Sequence, residues 1–127
     1  MIAAALTVAG AGCIAKKPAS HTETIWQPLG TWSGHGRVQT ESFNGDSGAL
    51  RIKWKASHAA ADGTFSLTVH SAISGRAMGE VVDHAGEGDG TAYFSDDPHV
   101  FFAVVDSKNL DWTFTVEQPV DIIVTPR

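Results

Sequence analysis

The segment Leu50-Arg-Ile-Lys-Trp-Lys55 gives the clearest indication of the fold. Apolar and basic residues alternate along it, so an extended chain places the apolar side chains on one face and the basic side chains on the other. This alternation is typical of a β-strand that has one side on a hydrophobic core and the other side in water. The same pattern recurs at residues 65–70 and 112–117, whereas residues 100–105 are continuously apolar, as in a central strand.

Shorter segments complete an all-β pattern. Weaker strands are predicted at residues 24–28, 36–43, 78–83, 91–94 and 120–124. Clusters of Gly, Asn, Asp and Ser separate the segments at intervals of about 8 to 15 residues, and residues 57–61 offer one helical turn at most. The sequence therefore predicts an all-β domain, an antiparallel β-sandwich of jelly-roll-like type with about eight strands.

Length and charge exclude several classes of protein. A chain of 127 residues suits one domain, and its formal net charge is −5. A general nucleic-acid partner is not expected, because neutralising phosphates requires a basic face. The sequence also lacks an apolar run of the roughly 20 residues that a membrane-spanning helix needs.

The N-terminal segment resembles that of bacterial lipoproteins. An uncharged run of small and apolar residues, 2–12, stops at Cys13, the one cysteine of the chain, and Lys16 and Lys17 follow. The box Gly10-Ala-Gly-Cys13 is similar to the small-residue box in which the cysteine thiol is lipidated and becomes the mature N-terminus. Two features differ from that pattern, because Gly10 replaces a large aliphatic residue and no basic residue precedes Cys13. Export without lipidation and an ordinary buried thiol are the alternative interpretations.

This resemblance implies three segments and a location. Residues 1–12 would be a lipoprotein-type signal peptide, residues 13–24 the lipidated cysteine with a polar tether, and residues 25–127 the β-sandwich domain. The protein would then sit in the bacterial cell envelope, anchored to a membrane and facing the periplasm or the cell surface.

The domain itself resembles small secreted β-sandwich domains of bacteria. The resemblance rests on three stretches, Gly34-His-Gly-Arg-Val-Gln-Thr-Glu-Ser-Phe43, Gly48-Ala-Leu-Arg-Ile-Lys-Trp54 and Asp111-Trp-Thr-Phe-Thr-Val116. Such domains occur on lipoproteins and as appendages of exported enzymes, and many have no assigned activity. The shared residues are those of cores and turns, so the resemblance implies a fold and no site.

Acidic residues and two histidines form the candidate metal site. If residues 83–99 formed a hairpin that brought its ends together, two imidazoles and a carboxylate would meet. The acidic loop Gly86-Glu-Gly-Asp-Gly90 also offers the hard oxygen ligands that Ca²⁺ prefers. The candidate ligands are Asp83, His84, Glu87, Asp89, Asp96, Asp97 and His99. The simpler interpretation is that acidic loops keep the sheet soluble and discourage edge pairing.

Aromatic and basic side chains form the candidate binding surface. Trp54 and Trp112 occupy apolar strand faces and are predicted to lie in the core, whereas Trp26 and Trp32 are the candidate ligand-binding residues. Exposed planar aromatics stack on sugars and anchor protein interfaces, although packing under the end of the sandwich is the simpler role for both. The basic stripe from Arg51 to Lys55 would face either the acids of a neighbouring strand or an anionic glycan or lipid headgroup.

These observations give two functional hypotheses from different classes. The first is a membrane-anchored, non-catalytic binding or scaffolding module whose partner is an envelope protein or a glycan. The second is a small metal-dependent or hydrolytic enzyme that uses His84, His99 and the acidic loop. A structural envelope component without a small ligand is a variant of the first.

Overall fold

The computed structural model describes residues 19–126, which contain nine β-strands and no helix. Accordingly, no helix in this range is long and apolar enough to cross a membrane. The strands are β1 (His21–His35), β2 (Val38–Gln39), β3 (Phe43–Gly45), β4 (Ala49–Ser57), β5 (Thr64–Ser71), β6 (Ala77–Ala85), β7 (Gly88–Ser95), β8 (His99–Lys108) and β9 (Asp111–Val124).

The strands form two sheets. The first sheet has the order β1-β9-β4-β7, and the second has the order β2-β8-β5-β6, with β3 pairing further along β8. The chain changes sheet at every connection except β2 to β3 and the β5–β6 hairpin. If β2 and β3 are counted as one interrupted strand, this is the strand order of an eight-stranded jelly roll. The prediction of an antiparallel, jelly-roll-like β-sandwich with about eight strands is confirmed.

The core lies between the inner faces of the two sheets. Alternate residues of β4, β5, β8 and β9 fill it, and the largest fully buried side chains include Phe65, Phe101 and Phe114. Trp112 is also buried, and its indole N–H donates to the carbonyl oxygen of Gly36 at 3.0 Å. Trp54 is half-buried and packs against this core. Period-two alternation of aromatic and β-branched residues thus produces the inner faces, as the sequence predicts.

One predicted strand is interrupted. Residues 36–43 are divided into β2 and β3, because the pairing with β8 shifts by one residue between Gln39 and Phe43. Thr40 lies at the shift, where its hydroxyl accepts the N–H of Ala103 at 3.0 Å. A side chain therefore supplies the acceptor at this point of the ladder.

Two other segments differ from the sequence prediction. Residues 120–124 continue β9 instead of forming a separate strand, and residues 57–61 form no helical turn. His58 adopts a positive φ of 54°, a left-handed conformation that ends β4 and that a right-handed helical turn does not contain.

The described chain divides into two compact units, residues 26–120 and a smaller unit of residues 19–25 with 121–126. The larger unit holds the two-sheet core. In the smaller unit the hydroxyl of Thr24 donates to Asp121 Oδ1 at 2.8 Å. Strand β1 begins at His21, so the last residues of the expected tether, 21–24, are extended and paired.

Candidate functional site

Polar and aromatic side chains cover the outer face of the first sheet. The pairing of β4 with β7 and β9 arranges them in three cross-strand rows. The rows are Tyr93-Arg51-Glu117, Thr91-Lys53-Thr115 and Asp89-Lys55-Thr113. Directly opposite side chains on neighbouring strands lie about 5 Å apart, so each row acts as one continuous surface. The basic stripe of β4 therefore runs through the middle of this face.

Arg51 makes an ion pair and a cation–π contact on the outer face. Its Nε donates to Glu117 Oε1 at 2.7 Å, and the two side chains are only 19% and 11% exposed. The guanidinium carbon lies 4.4 Å from the centre of the Trp26 ring, a cation–π contact. The rings of Tyr93 and Trp26 form a T-shaped pair with their centres 6.2 Å apart, and Tyr93 is 66% exposed. An ion pair and an aromatic ring thus fix the cation beside an exposed aromatic side chain.

Trp26 reaches this face through a change in the alternation of β1. Leu29 and Trp32 both pack against the core, although residues three apart in a regular strand lie on opposite faces. The alternation therefore shifts by one residue between them, which leaves Trp26 on the side of Arg51. A strictly alternating pattern across residues 26–35 would not place Trp26 on the outer face. The Pro28-Leu-Gly30 sequence is the one local sign that the strand is irregular.

Trp32 lies at the rim of the core. Its ring stacks on Phe114 at 5.2 Å and meets Phe43 at 5.7 Å. Its indole N–H donates to Glu41 Oε1 at 2.9 Å. The structure therefore separates the two tryptophans that the sequence pairs as ligand-binding candidates, and Trp26 alone belongs to the outer face.

The bond from Trp32 has a measurable consequence for Glu41. The indole N–H, together with the backbone N–H of Glu41, holds the pKa of the Glu41 carboxyl below its ordinary value of 4.5. A lowered pKa means that the ionised carboxylate contributes stability above pH 4.5, which is lost as the pH falls through the lowered pKa. We expect NMR titration to show this lowered pKa in the native chain and a rise towards 4.5 in Trp32→Phe, which lacks the donor. Equal pKa values in the two chains would contradict the assignment.

The structure does not bring His84 and His99 together. His84 lies on β6 opposite Phe65, which also pairs with Ser107 of β8. His99 is eight residues from Ser107 along β8, roughly 27 Å in an extended strand. The condition that residues 83–99 bring their ends together is not met, because β7 belongs to the other sheet and β5 separates β6 from β8.

The remaining metal candidates have separate local partners. Glu87 Oε2 accepts the N–H of Ala59 at 3.2 Å, and Asp96 Oδ1 accepts the N–H of Asp97 at 2.7 Å. Asp83 lies opposite Ser66 on β5, and Asp89 lies opposite Lys55 on β4. Within residues 19–126, no three His, Cys, Asp or Glu side chains are arranged to hold a metal ion.

His99 forms a close pair with a serine. Its Nε2 lies 2.6 Å from Ser71 Oγ, which also accepts the backbone N–H groups of Ile73 and Ser74. The hydroxyl proton therefore lies towards His99. Ser71 is only 4% exposed, so its oxygen anchors a turn and is closed to the approach that a nucleophile requires.

A second histidine cluster has no signal in the linear sequence. Strand pairing sets Asp111 opposite Ser57, and the two Asp111 oxygens each lie 3.0 Å from an imidazole Nδ1, of His35 and of His58. All three side chains are exposed, so solvent screening leaves these contacts worth little in free energy. The cluster links the ends of β1, β4 and β9.

Comparisons with known proteins add little to this geometry. No family model matches the sequence, and no curated protein matches it. Two solved structures of infectious bursal disease virus are similar in fold. The Gt strain structure has 11% identity and a TM-score of 0.38 over 84% of this chain and 36% of the viral chain. The Gx strain structure has 12% identity and a TM-score of 0.37 over 90% of this chain and 40% of the viral chain. The chain thus spans well under half the length of either viral chain.

Proposed function

We propose that this protein is a non-catalytic binding module of the bacterial cell envelope, held at a membrane by a lipid on Cys13. The observation that carries the proposal is the group formed by Trp26, Arg51 and Tyr93 on the outer face. Tyr93 offers a large aromatic side chain to solvent, and aromatic and arginine side chains dominate binding at recognition surfaces. Arg51 is already fixed by Glu117, so a ligand loses little binding energy in ordering it.

The proposed anchor is supported by the sequence around Cys13. Lys16 and Lys17 would lie next to the lipid, where each basic residue attracts anionic headgroups by about 1 kcal/mol. Cys13 lies outside the described residues 19–126. It is eight residues before His21, where β1 begins, and even a fully extended chain of that length spans at most roughly 28 Å. Anchoring would therefore keep the module close to the bilayer and raise its concentration near envelope partners.

The anchor is tested by intact mass and membrane fractionation of the native protein beside Cys13→Ala. We expect the native product to begin at Cys13, to carry added acyl mass and to sediment with membranes. We expect Cys13→Ala to move almost entirely to the soluble fraction, because the alanine has no thiol to acylate. An unmodified native chain that keeps residues 1–12 would contradict the anchor.

The binding surface is tested by sedimentation with isolated cell envelopes. The full chain carrying Cys13→Ala is mixed with them and sedimented, alone and combined with Tyr93→Ala. We expect Tyr93→Ala to reduce retention. Ile73→Ala serves as the matched control, because Ile73 is also largely exposed and lies on the β5–β6 turn of the second sheet. Equal retention of both variants would contradict the assignment of the outer face.

A further inference from the structure

Arg51 keeps most of its hydrogen-bonding capacity. A guanidinium carries five N–H groups, and within residues 19–126 the side chain of Arg51 uses only the one on Nε. The terminal nitrogens Nη1 and Nη2 have no hydrogen-bond acceptor among the described residues. Two terminal nitrogens in one plane match the two oxygens of a carboxylate.

The charge around Arg51 favours an added anion. Arg51 and Glu117 balance one another, and Lys53 is the next outward-facing residue on β4, about 7 Å along the strand. Lys53 makes no ion pair within the described chain, and its cross-strand neighbours Thr91 and Thr115 are uncharged. A carboxylate bound at Arg51 would therefore be attracted by the charge of Lys53, which no described acidic residue balances.

The neighbouring side chains suit a sugar. Tyr93 lies directly opposite Arg51, about 5 Å away across the strand pair, so one ring that bears a carboxylate can contact both residues. The exposed tyrosine ring offers an apolar face to ring C–H groups. The hydroxyls of Thr91 and Thr115, in the next row, both donate and accept hydrogen bonds, as sugar hydroxyls do.

We infer that the outer face of the first sheet binds a glycan whose sugars carry carboxylates. The carboxylate bonds to Nη1 and Nη2 of Arg51, the sugar ring packs on Tyr93, and Lys53 supplies the balancing charge. This inference rests on the proposed function, since it names the ligand class of the same surface.

The test is isothermal titration calorimetry on the full chain carrying Cys13→Ala. The probes are a hexamer of α-1,4-linked galacturonic acid, the same hexamer with every carboxyl methyl-esterified, and hexaglutamate. We expect the acidic hexamer to bind at least about tenfold more tightly than its ester, because esterification removes the charge-assisted bonds to Arg51. Its affinity should fall as salt is added, since the contacts are exposed and screened. Hexaglutamate should bind more weakly, because it has no ring to pack on Tyr93.

Variants separate the three contacts. We expect Arg51→Lys to weaken the acidic hexamer by about tenfold, because lysine keeps the charge and loses the planar pair of donors. Tyr93→Ala should weaken both hexamers by about fivefold, since both carry the ring. Lys53→Gln should weaken only the acidic hexamer. Lys108→Gln, on β8 of the second sheet, is the matched control and should change nothing. Thermal unfolding of each variant shows whether the domain is intact.

The outcomes distinguish this inference from the proposed function. Equal affinity for the acid and its ester, or an unchanged affinity in Arg51→Lys and Tyr93→Ala, overturns the inference. Hexaglutamate binding as tightly as the acidic hexamer overturns it in favour of an acidic peptide. Retention on isolated envelopes that depends on Tyr93, without hexamer binding, rejects the acidic glycan alone and leaves the binding module. If the protein shows neither Tyr93-dependent retention on envelopes nor binding of the acidic hexamer, the binding module is rejected as well.

Discussion

Gly48→Ala is expected to lower the free energy of unfolding by at least about 3 kcal/mol. Gly48 has a φ of +80°, which an L side chain rarely adopts, and an added Cβ would overlap the carbonyl oxygen of Asp96. The neighbour cannot swing aside, because it is backbone and the N–H of Asp96 donates to Gly48 O at 2.9 Å. The strain of the positive φ and the overlap with Asp96 therefore both contribute to the loss of stability. Urea unfolding followed by tryptophan fluorescence measures the loss.

Gly75→Ala separates the two causes. Gly75 has nearly the same φ, +79°, and an added Cβ there would meet nothing within 4 Å. In Gly75→Ala the free energy of unfolding should fall by about 1 kcal/mol, the cost of placing alanine at a positive φ. If the two variants lost similar amounts of unfolding free energy, the close approach of Asp96 to Gly48 would not contribute to the cost of Gly48→Ala.

Trp112→Ala is expected to cost about 3 to 5 kcal/mol, the range for removing a large aromatic side chain from a core. Trp112 is buried and lies 6.2 Å from the ring of Phe65 and 5.6 Å from that of Phe114. Both rings belong to the buried core, so the cavity left by alanine is lined by groups that are already packed. The same unfolding experiment applies, followed by circular dichroism because a fluorophore is lost.

Trp112→Phe tests the role of the indole N–H. The smaller ring retains part of the packing and leaves the carbonyl of Gly36 without its 3.0 Å donor. The expected loss is intermediate, about 1 to 3 kcal/mol, the cost of an unpaired polar group. If Trp112→Ala cost less than Trp112→Phe, packing could not be the main contribution of this side chain.

The sequence predicts the strands well because their signal is local. Alternation at residues 50–55 indicates the strand and correctly assigns Ile52 to the core and Lys53 to solvent. The partners of Arg51 have no such signal. Glu117 and Tyr93 come beside it only through the order of strands in the first sheet. A pairing across 66 residues cannot be read from either segment alone.

The positions of His84 and Trp26 also depend on contacts that a local pattern does not reveal. A hairpin over residues 83–99 is suggested by turn residues, and the chain does bend at Gly86, whose φ is +83°. Turn residues do not reveal which sheet the next strand joins, and here β7 joins the opposite one. Likewise, the face that Trp26 occupies depends on an alternation shift between Leu29 and Trp32, which only packing reveals.

The position of β9 between β1 and β4 governs when the domain can fold. Within residues 19–126, β1 is the first strand and β9 is the last. In the first sheet of this range, β9 is the only strand that pairs with β1. During synthesis β1 therefore has no partner until the residues of β9 have emerged, long after β4 is complete. Such late, distant pairing makes folding slow, because the entropy of closing the chain is lost before the contacts form. The last strand of the described range is thus needed to complete the first sheet, and β1 has no partner in that sheet until residues 111–124 are available.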